Sequence, residues 1–163
     1  MRRLDPTTLD YFDHAPVRIF AEATIPASPA AVFDALADAP GWTAWFPLLH
    51  RAAWLRGDGG IGAERAVALR LLGRFDERMI AWDPGQRLAF TMVAATSPFV
   101  RQMAEDYRLT AVGDATRIDW IMAATPTALG RVSRPALERI GVRMFAAAGR
   151  RLSAVLRAHG AAA

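Results

Sequence analysis

Apolar and polar residues alternate in seven segments of the chain, and this period of two predicts seven β-strands. The first strand runs from Val17 to Ile25, with mainly apolar residues on one face and Arg18, Glu22 and Thr24 on the other. The other six lie between turns rich in Gly, Asp or Pro, over residues 50–55, 64–72, 74–82, 87–93, 103–112 and 116–124. Short turns between consecutive strands favour an antiparallel sheet.

The remaining apolar residues predict two short helices and one long helix. Ser28 and Pro29 supply an N-cap and a first helical residue, Pro40-Gly41 ends that helix, and a further turn follows over Trp42–Phe46. Beyond Pro126 the period becomes helical, and one stripe carries Leu137, Ile140, Met144, Ala148, Leu152 and Val155. The predicted order is one strand, two short helices, six strands and one long helix.

This order and five local phrases resemble the START-like helix-grip superfamily, specifically its polyketide cyclase/dehydrase and lipid-transport (SRPBCC) branch. The phrases are ATIPASPAAVFDALADAPGWTAWFP, DGGIGAERAV, ERMIAWDPGQRLAFTM, GDATRIDW and the amphipathic C-terminal helix, within residues 17–158. The resemblance implies an α+β helix-grip fold, in which a curved seven-stranded antiparallel sheet wraps around the long C-terminal helix. It also implies a cavity for an apolar small molecule, but no particular chemistry, because the family includes carriers, cyclases and lipid-transfer modules.

Length and composition narrow the possibilities further. The 163 residues, 53% of them hydrophobic, predict a single START-like domain over 1–163, with an N-terminal arm at 1–15 and a flexible tail at 159–163. The absence of cysteine excludes thiolate catalysis and cysteine-based metal sites. No apolar stretch reaches the roughly 18 residues of a membrane span, and no signal-peptide core follows the first arginines. We therefore expect a cytoplasmic protein without stable membrane insertion.

The charged residues suggest no further partner. All 20 basic residues are arginines, which together with the many alanines indicates a GC-rich coding bias. The net charge is only +4 and the arginines are scattered, whereas a nucleic-acid surface would cluster them beside aromatic residues. His14, His50 and His159 lack the spacing of a metal site. We expect no nucleic-acid partner, metal or other cofactor, and either a monomer or a homodimer.

Turn positions set the register of the hairpins, and the register decides which side chains face the concave side of the sheet. A two-residue turn at 113–114 pairs Tyr107 with Trp120 and also places Glu105 on the concave face. The preceding hairpin brings Glu77 to the same face. The sequence therefore predicts two carboxyl groups and one phenol on an otherwise apolar surface.

These three groups, Glu77, Glu105 and Tyr107, are the candidates for acid–base chemistry, because an unpaired buried carboxylate must find a partner, stay protonated or meet water. The structural alternative is that each glutamate is paired with Arg65 or another arginine and has no chemical role. Arg65 faces inward if residues 72–74 form a three-residue turn, which also places Leu71 on the concave face.

The residues predicted to bind the ligand lie on the concave face, after the short helices and on the stripe of the long helix. They are Trp45, Phe46, Val67, Leu69, Met79, Phe90, Met92, Glu105, Tyr107, Trp120, Met122, Leu137, Ile140, Met144 and Ala148. Trp45 and Phe46 are expected to cap the cavity while Trp42 packs beneath them; the alternative is that all three only fill the core. Small residues at 145–149 either leave a void or allow close approach, and the resemblance favours a void beside Ala148.

Three functional hypotheses follow. The favoured one is binding or transport of a hydrophobic small molecule, such as a lipid, polyketide or isoprenoid-like compound, between the sheet and the C-terminal helix. The second is a polyketide cyclase/aromatase-type enzyme, without metal or covalent nucleophile, that uses the cavity carboxyl and phenol groups as acid and base. The third is a non-enzymatic interaction module with a vestigial cavity.

Overall fold

The computed structural model describes residues 1–160 of the protein. In these residues the strands are β1 Arg2–Arg3, β2 Val17–Ile25, β3 Leu49–Arg56, β4 Glu64–Leu69, β5 Gly73–Asp83, β6 Arg87–Ala95, β7 Val100–Val112 and β8 Ala115–Pro126. The helices are α1 Tyr11–His14, α2 Pro29–Ala37, α3 Trp42–Trp45 and α4 Ala128–Gly160. Of the predicted tail, 159–160 belong to α4 and 161–163 lie outside the described residues.

The strands form one antiparallel sheet in the order β2-β8-β7-β6-β5-β4-β3, and β1 pairs with the end of β6. The register shifts within the β3–β4, β5–β6 and β7–β8 pairs. Such irregularities bend a strand and increase its twist, so the sheet curls towards α4. Helix α4 packs mainly on β2 at one edge and on α3. The predicted helix-grip fold is confirmed.

The predicted register is confirmed at one hairpin and shifted at another. Tyr107 opposes Trp120 across the turn at 113–114, as predicted. Between β4 and β5, Leu69 pairs with Gly73, so the turn lies at 70–72 and not at 72–74. Because the shift is an even number of residues, Arg65 still faces inward. Leu71 does not; it lies in the turn, 94% exposed and with φ of 72°.

The N-terminal arm packs across the outer face of the sheet. Phe12 is buried there over the four alanines Ala81, Ala89, Ala104 and Ala123, which form a second apolar cluster. Alanine side chains leave room for an aromatic ring on a surface that would otherwise meet solvent. The arm is also held by a hydrogen bond from the Thr7 amide to Thr91 Oγ1, at 2.9 Å.

The two ends of α4 have different environments. Thr127 Oγ1 accepts a hydrogen bond from the Gly130 amide, at 3.1 Å, and so acts as the N-cap. The second half is anchored by the buried side chains of Phe145, Ala148 and Leu152, whereas most residues of the first half are exposed. In the part of the chain that the structure describes, no helix has both the length and the apolar character needed to cross a membrane.

Candidate functional site

A cavity of about 130 Å³ lies between the concave face of the sheet and the first half of α4. Every strand from β2 to β8 contributes to its wall, together with α3 and the loop between β6 and β7. The lining is almost entirely apolar. Its ionisable side chains are Glu77, Glu105, Arg134 and Glu138.

The floor of the cavity is sharply defined along the strands. On β7, Met103 and Glu105 line the cavity, but the next inward residue, Tyr107, does not. On β5, Glu77 lines it and Met79 does not. The cavity ends in the same way on β4, where the inward-facing Arg65 lies beyond the lining residues and does not contribute to the wall. Glu77 and Glu105 therefore mark the boundary between the void and a solidly packed layer beneath it.

The cavity reaches the surface at its other end. Its lining there includes Arg134, Glu138 and Ile140 on α4 and Phe99 on the β6–β7 loop, all partly or largely exposed. Arg134 Nε donates a hydrogen bond to Glu138 Oε1, at 2.6 Å. Both side chains are substantially exposed, so this ion pair belongs to the rim and contributes little to stability.

Most of the residues predicted to bind the ligand line this cavity: Phe46, Val67, Leu69, Phe90, Met92, Glu105, Met122, Leu137, Ile140 and Met144. The others do not line it, because the packed layer or the contact between α4 and β2 covers them: Trp45, Met79, Tyr107, Trp120 and Ala148. Tyr107 and Trp120 show the reason most clearly, since their ring centroids lie 4.5 Å apart and Trp120 lies 4.0 Å from Phe145.

Of the three aromatic residues after α2, Phe46 lies at the cavity as predicted, but Trp42 and Trp45 have exchanged their predicted places. Trp42, expected beneath the helix break, lines the cavity together with Phe46, whereas Trp45 is buried away from it. The Trp42 indole Nε1 donates a hydrogen bond to the Leu36 carbonyl, at 2.8 Å, which fixes the ring. A helical turn of only four residues gives too little periodicity to distinguish these faces from the sequence.

The small residues of α4 mark close approach and not a void. A Cβ added at Gly149 would lie 2.7 Å from the Ala23 Cβ, and Ala148 beside it is fully buried. The expected void beside Ala148 is therefore wrong. About two helical turns towards the N-terminus, Gly141 does line the cavity, and a Cβ added there would lie 3.1 Å from Ile19 Cδ1.

Other lining residues were missed because they lie in turns. Leu72 belongs to the β4–β5 turn and Phe99 to the β6–β7 loop, and both contribute to the cavity wall. An apolar side chain in a turn between two strands is the signal that could have identified them, since such positions are usually polar.

Arg65 and Glu77 form an ion pair beneath the cavity. Arg65 Nε donates to Glu77 Oε2 at 2.5 Å, and the two residues are 0% and 3% exposed. The guanidinium carbon lies 4.0 Å from the ring centroid of Trp42 and 4.6 Å from that of Phe90. The cation is therefore held between two aromatic faces, an arrangement that compensates part of its lost hydration. Within residues 1–160, its two terminal nitrogens have no hydrogen-bond partner.

Glu105 is the second buried carboxyl group and is 6% exposed. Its Oε2 accepts hydrogen bonds from the Tyr107 hydroxyl, at 2.6 Å, and from Trp120 Nε1, at 3.3 Å. Burial raises the pKa of Glu105 to about 7, despite the opposing effect of these hydrogen bonds, and the charge of Glu77 adds to the increase. Burial and the neighbouring carboxyl also raise the pKa of Tyr107, which therefore acts as a hydrogen-bond donor.

The two carboxyl groups differ in their contact with a cation. Burial raises the pKa of Glu77 as well, and the Arg65 charge and hydrogen bond oppose that increase. An arginine stays protonated in proteins, so Arg65 and ionised Glu77 together form a neutral pair. Within residues 1–160, Glu105 forms no ion pair, and the Arg65 charge lowers its pKa too little to offset burial, so that this pKa stays at about 7. In the described residues, no cluster of three or more His, Cys, Asp or Glu side chains is arranged to hold a metal ion.

Comparison with known proteins agrees with this architecture. The family described as polyketide cyclase/dehydrase and lipid transport matches residues 16–157. Uncharacterized proteins from Mycobacterium tuberculosis and Mycobacterium bovis are each 31% identical to the chain over 132 residues, covering 79% of it and 76% of the relative.

Two solved structures show the same fold. The Zhui aromatase/cyclase from Streptomyces sp. R1128 has a TM-score of 0.71 at 19% identity, covering 85% of this chain and 92% of its own. A START superfamily protein from Mycobacterium smegmatis has a TM-score of 0.65 at 10% identity, covering 86% of this chain and 97% of its own. With a helix-grip fold, an apolar cavity inside it and a family match across residues 16–157, the chain belongs to the polyketide cyclase/dehydrase and lipid transport family.

Proposed function

We propose that the protein binds or carries a small hydrophobic molecule in the cavity between the sheet and α4. The single observation that carries the proposal is the apolar void of about 130 Å³ that reaches the surface beside α4. Protein interiors are normally packed without voids larger than a water molecule. An engineered apolar cavity of roughly 150 Å³ binds benzene, so the void here has room for a guest of one ring.

Toluene binding tests this proposal, measured by calorimetry or by the change in total tryptophan fluorescence, to which Trp42 at the cavity wall contributes. Substitution Gly141→Leu places a side chain in the cavity, and we expect it to weaken toluene binding by about 10-fold or more, since the leucine side chain and the guest would compete for the same volume. The matched control is Ala146→Leu, on the exposed side of the same helix. Equal affinity of both variants for toluene would contradict the proposal.

One observation favours an enzyme as the second candidate function. Glu105 lines the cavity with a pKa of about 7, the range in which a carboxyl group works best as a general acid or base. Of the other candidates, Glu77 lines the cavity but is paired with Arg65, and Tyr107 lies below the floor. Any acid–base chemistry is therefore assigned to Glu105.

This second candidate can be tested without knowing the substrate. A general base at Glu105 should accelerate exchange of the α-protons of cyclohexanone in D₂O, followed by NMR. The acceleration should disappear in Glu105→Gln. Equal exchange rates in wild-type protein, variant and buffer would leave binding as the function and exclude proton abstraction from this ketone.

A further inference from the structure

The floor of the cavity presents hydrogen-bond acceptors, and this determines the chemistry of the molecule that fits it. Glu77 on β5 and Glu105 on β7 lie on either side of β6, opposite Met92 and Phe90 respectively. Each carboxyl group binds its protein partners through Oε2 alone. In residues 1–160, neither Oε1 atom has a hydrogen-bond partner, although both side chains are more than nine-tenths buried.

The hydrogen-bond donors near this floor either already donate to protein acceptors or do not line the cavity, where a guest could contact them. Trp42 Nε1 donates to the Leu36 carbonyl, and the Tyr107 hydroxyl donates to Glu105. Arg65 has two free terminal nitrogens, but the rings of Trp42 and Phe90 cover its guanidinium group, and it does not line the cavity. When both glutamates are ionised, a guest therefore meets only acceptor oxygens at the floor, and an anionic or purely accepting group finds no donor there.

The protonation state of Glu105 further limits which chemical groups of a guest can bind at the floor. With Oε2 accepting two hydrogen bonds, a proton on this carboxyl group belongs on Oε1, where it can be donated to the guest. When Glu105 is ionised, the same atom accepts. A hydroxyl group suits both states because it donates and accepts, whereas an ether or ketone suits only the protonated one. A guest carrying its own charge would pay a large cost of desolvation in this apolar cavity.

We infer that the guest is a small neutral alcohol or phenol, bound with its hydroxyl group against Glu77 and Glu105 and its apolar part towards α4. This inference rests on the proposed binding function and adds the polar group and the orientation of the ligand. The volume of about 130 Å³ corresponds to a single ring carrying such a group.

Phenol and toluene, which have nearly the same shape, separate this inference from the proposed function. In a cavity without a partner for the hydroxyl group, phenol would bind about 10-fold or more weakly than toluene, because the buried hydroxyl would lose its hydrogen bonds to water. We expect the opposite: phenol binds wild-type protein at least as tightly as toluene. Calorimetric titration at about pH 8 gives both dissociation constants.

The variant Glu105→Gln tests the role of the floor. Its amide oxygen would accept the hydrogen bonds of Tyr107 and Trp120, so the NH₂ group would face the guest as a donor. At about pH 8 the ionised Glu105 of the wild-type protein accepts a charge-assisted hydrogen bond from phenol, whereas the amide of the variant offers only a weaker neutral one. We therefore expect phenol affinity to fall by about 10-fold and toluene affinity to change by less than about 2-fold. The matched control is Glu64→Gln, on the same sheet but not in the cavity wall, which should leave the ratio of the two affinities unchanged.

The outcomes are distinct. Tight phenol binding that Glu105→Gln selectively weakens supports the inference. Toluene binding with phenol at least about 10-fold weaker overturns the inference and leaves hydrophobic binding intact. Binding of neither compound overturns both. Because the comparison in wild-type protein needs no variant, the inference stays testable even if Glu105→Gln does not fold.

Discussion

Replacing Glu105 by glutamine should change the pH dependence of folding stability. The pKa of this carboxyl group rises from 4.5 to about 7 on folding, because burial disfavours the charged form. The native state therefore holds its proton at pH values where the unfolded chain has already released it. By linkage, the free energy of unfolding falls as pH rises between these two pKa values and is level outside them. At about 1.4 kcal/mol per pKa unit, the loss amounts to about 3 kcal/mol.

Urea unfolding followed by tryptophan fluorescence at pH values from about 4 to 8 measures this effect. The stability of wild-type protein minus that of Glu105→Gln should decrease by about 3 kcal/mol across the range, since glutamine does not titrate. Glu64→Gln controls for the loss of a carboxyl group from the sheet. A difference that is flat or rises with pH would refute the assignment of a buried, protonated carboxyl group, as would an equal slope in the control.

Three further predictions concern packing and backbone strain, each measured by urea unfolding. Gly149→Ala should destabilise the protein, because the added Cβ meets Ala23 and overpacking costs about 1–3 kcal/mol, more than the gain of about 1 kcal/mol in helix propensity; unchanged stability would contradict the close approach. Phe12→Ala should cost about 3 kcal/mol without weakening toluene binding, since the ring packs on the outer face of the sheet. Leu71→Asn should stabilise the protein by about 1 kcal/mol, because an exposed leucine at φ of 72° is strained and asparagine tolerates this conformation better; a loss of stability would indicate that the leucine makes an important contact.

The parts of the fold that could be predicted are those fixed by local rules. The two-residue turn at 113–114 defines a single register, and it placed Tyr107, Glu105 and Trp120 on one face as observed. At the β4–β5 turn the sequence pattern places Gly73 at the centre of the turn, whereas Gly73 follows the turn as the first residue of β5. Because the turn is displaced by two residues, an even number, Arg65 still lies on the predicted face of the sheet. Leu71, which was expected in the core, is exposed to solvent.

The sequence could predict which side chains share the concave face of the sheet, but not how far the cavity extends along that face. Alternation shows which side of the sheet Tyr107 and Glu105 share, yet only the packing of α3 and α4 decides that the cavity ends between them. The same limit applies to α4, where a run of small residues is compatible with either a void or a contact. The choice depended on the position of Ala23 on a strand more than one hundred residues earlier, which no local pattern contains.

The polar groups at the cavity floor connect its structure with its proposed ligand. Replacing a buried ion pair by apolar residues of similar volume is often neutral or stabilising, so the fold alone gives no reason to keep Arg65 and Glu77 where they are. Glu105 also lowers stability when it ionises, because the free energy of unfolding is about 3 kcal/mol lower above its pKa of about 7 than at acidic pH. These groups stand at the level of the core where packed side chains give way to the cavity, and within residues 1–160 each glutamate keeps one oxygen without a protein partner. A hydroxylated guest would use those oxygens and recover part of their desolvation cost. The affinity for phenol relative to toluene should therefore depend on Glu105, and the folding stability of the empty wild-type protein, measured relative to Glu105→Gln, should fall as the pH rises.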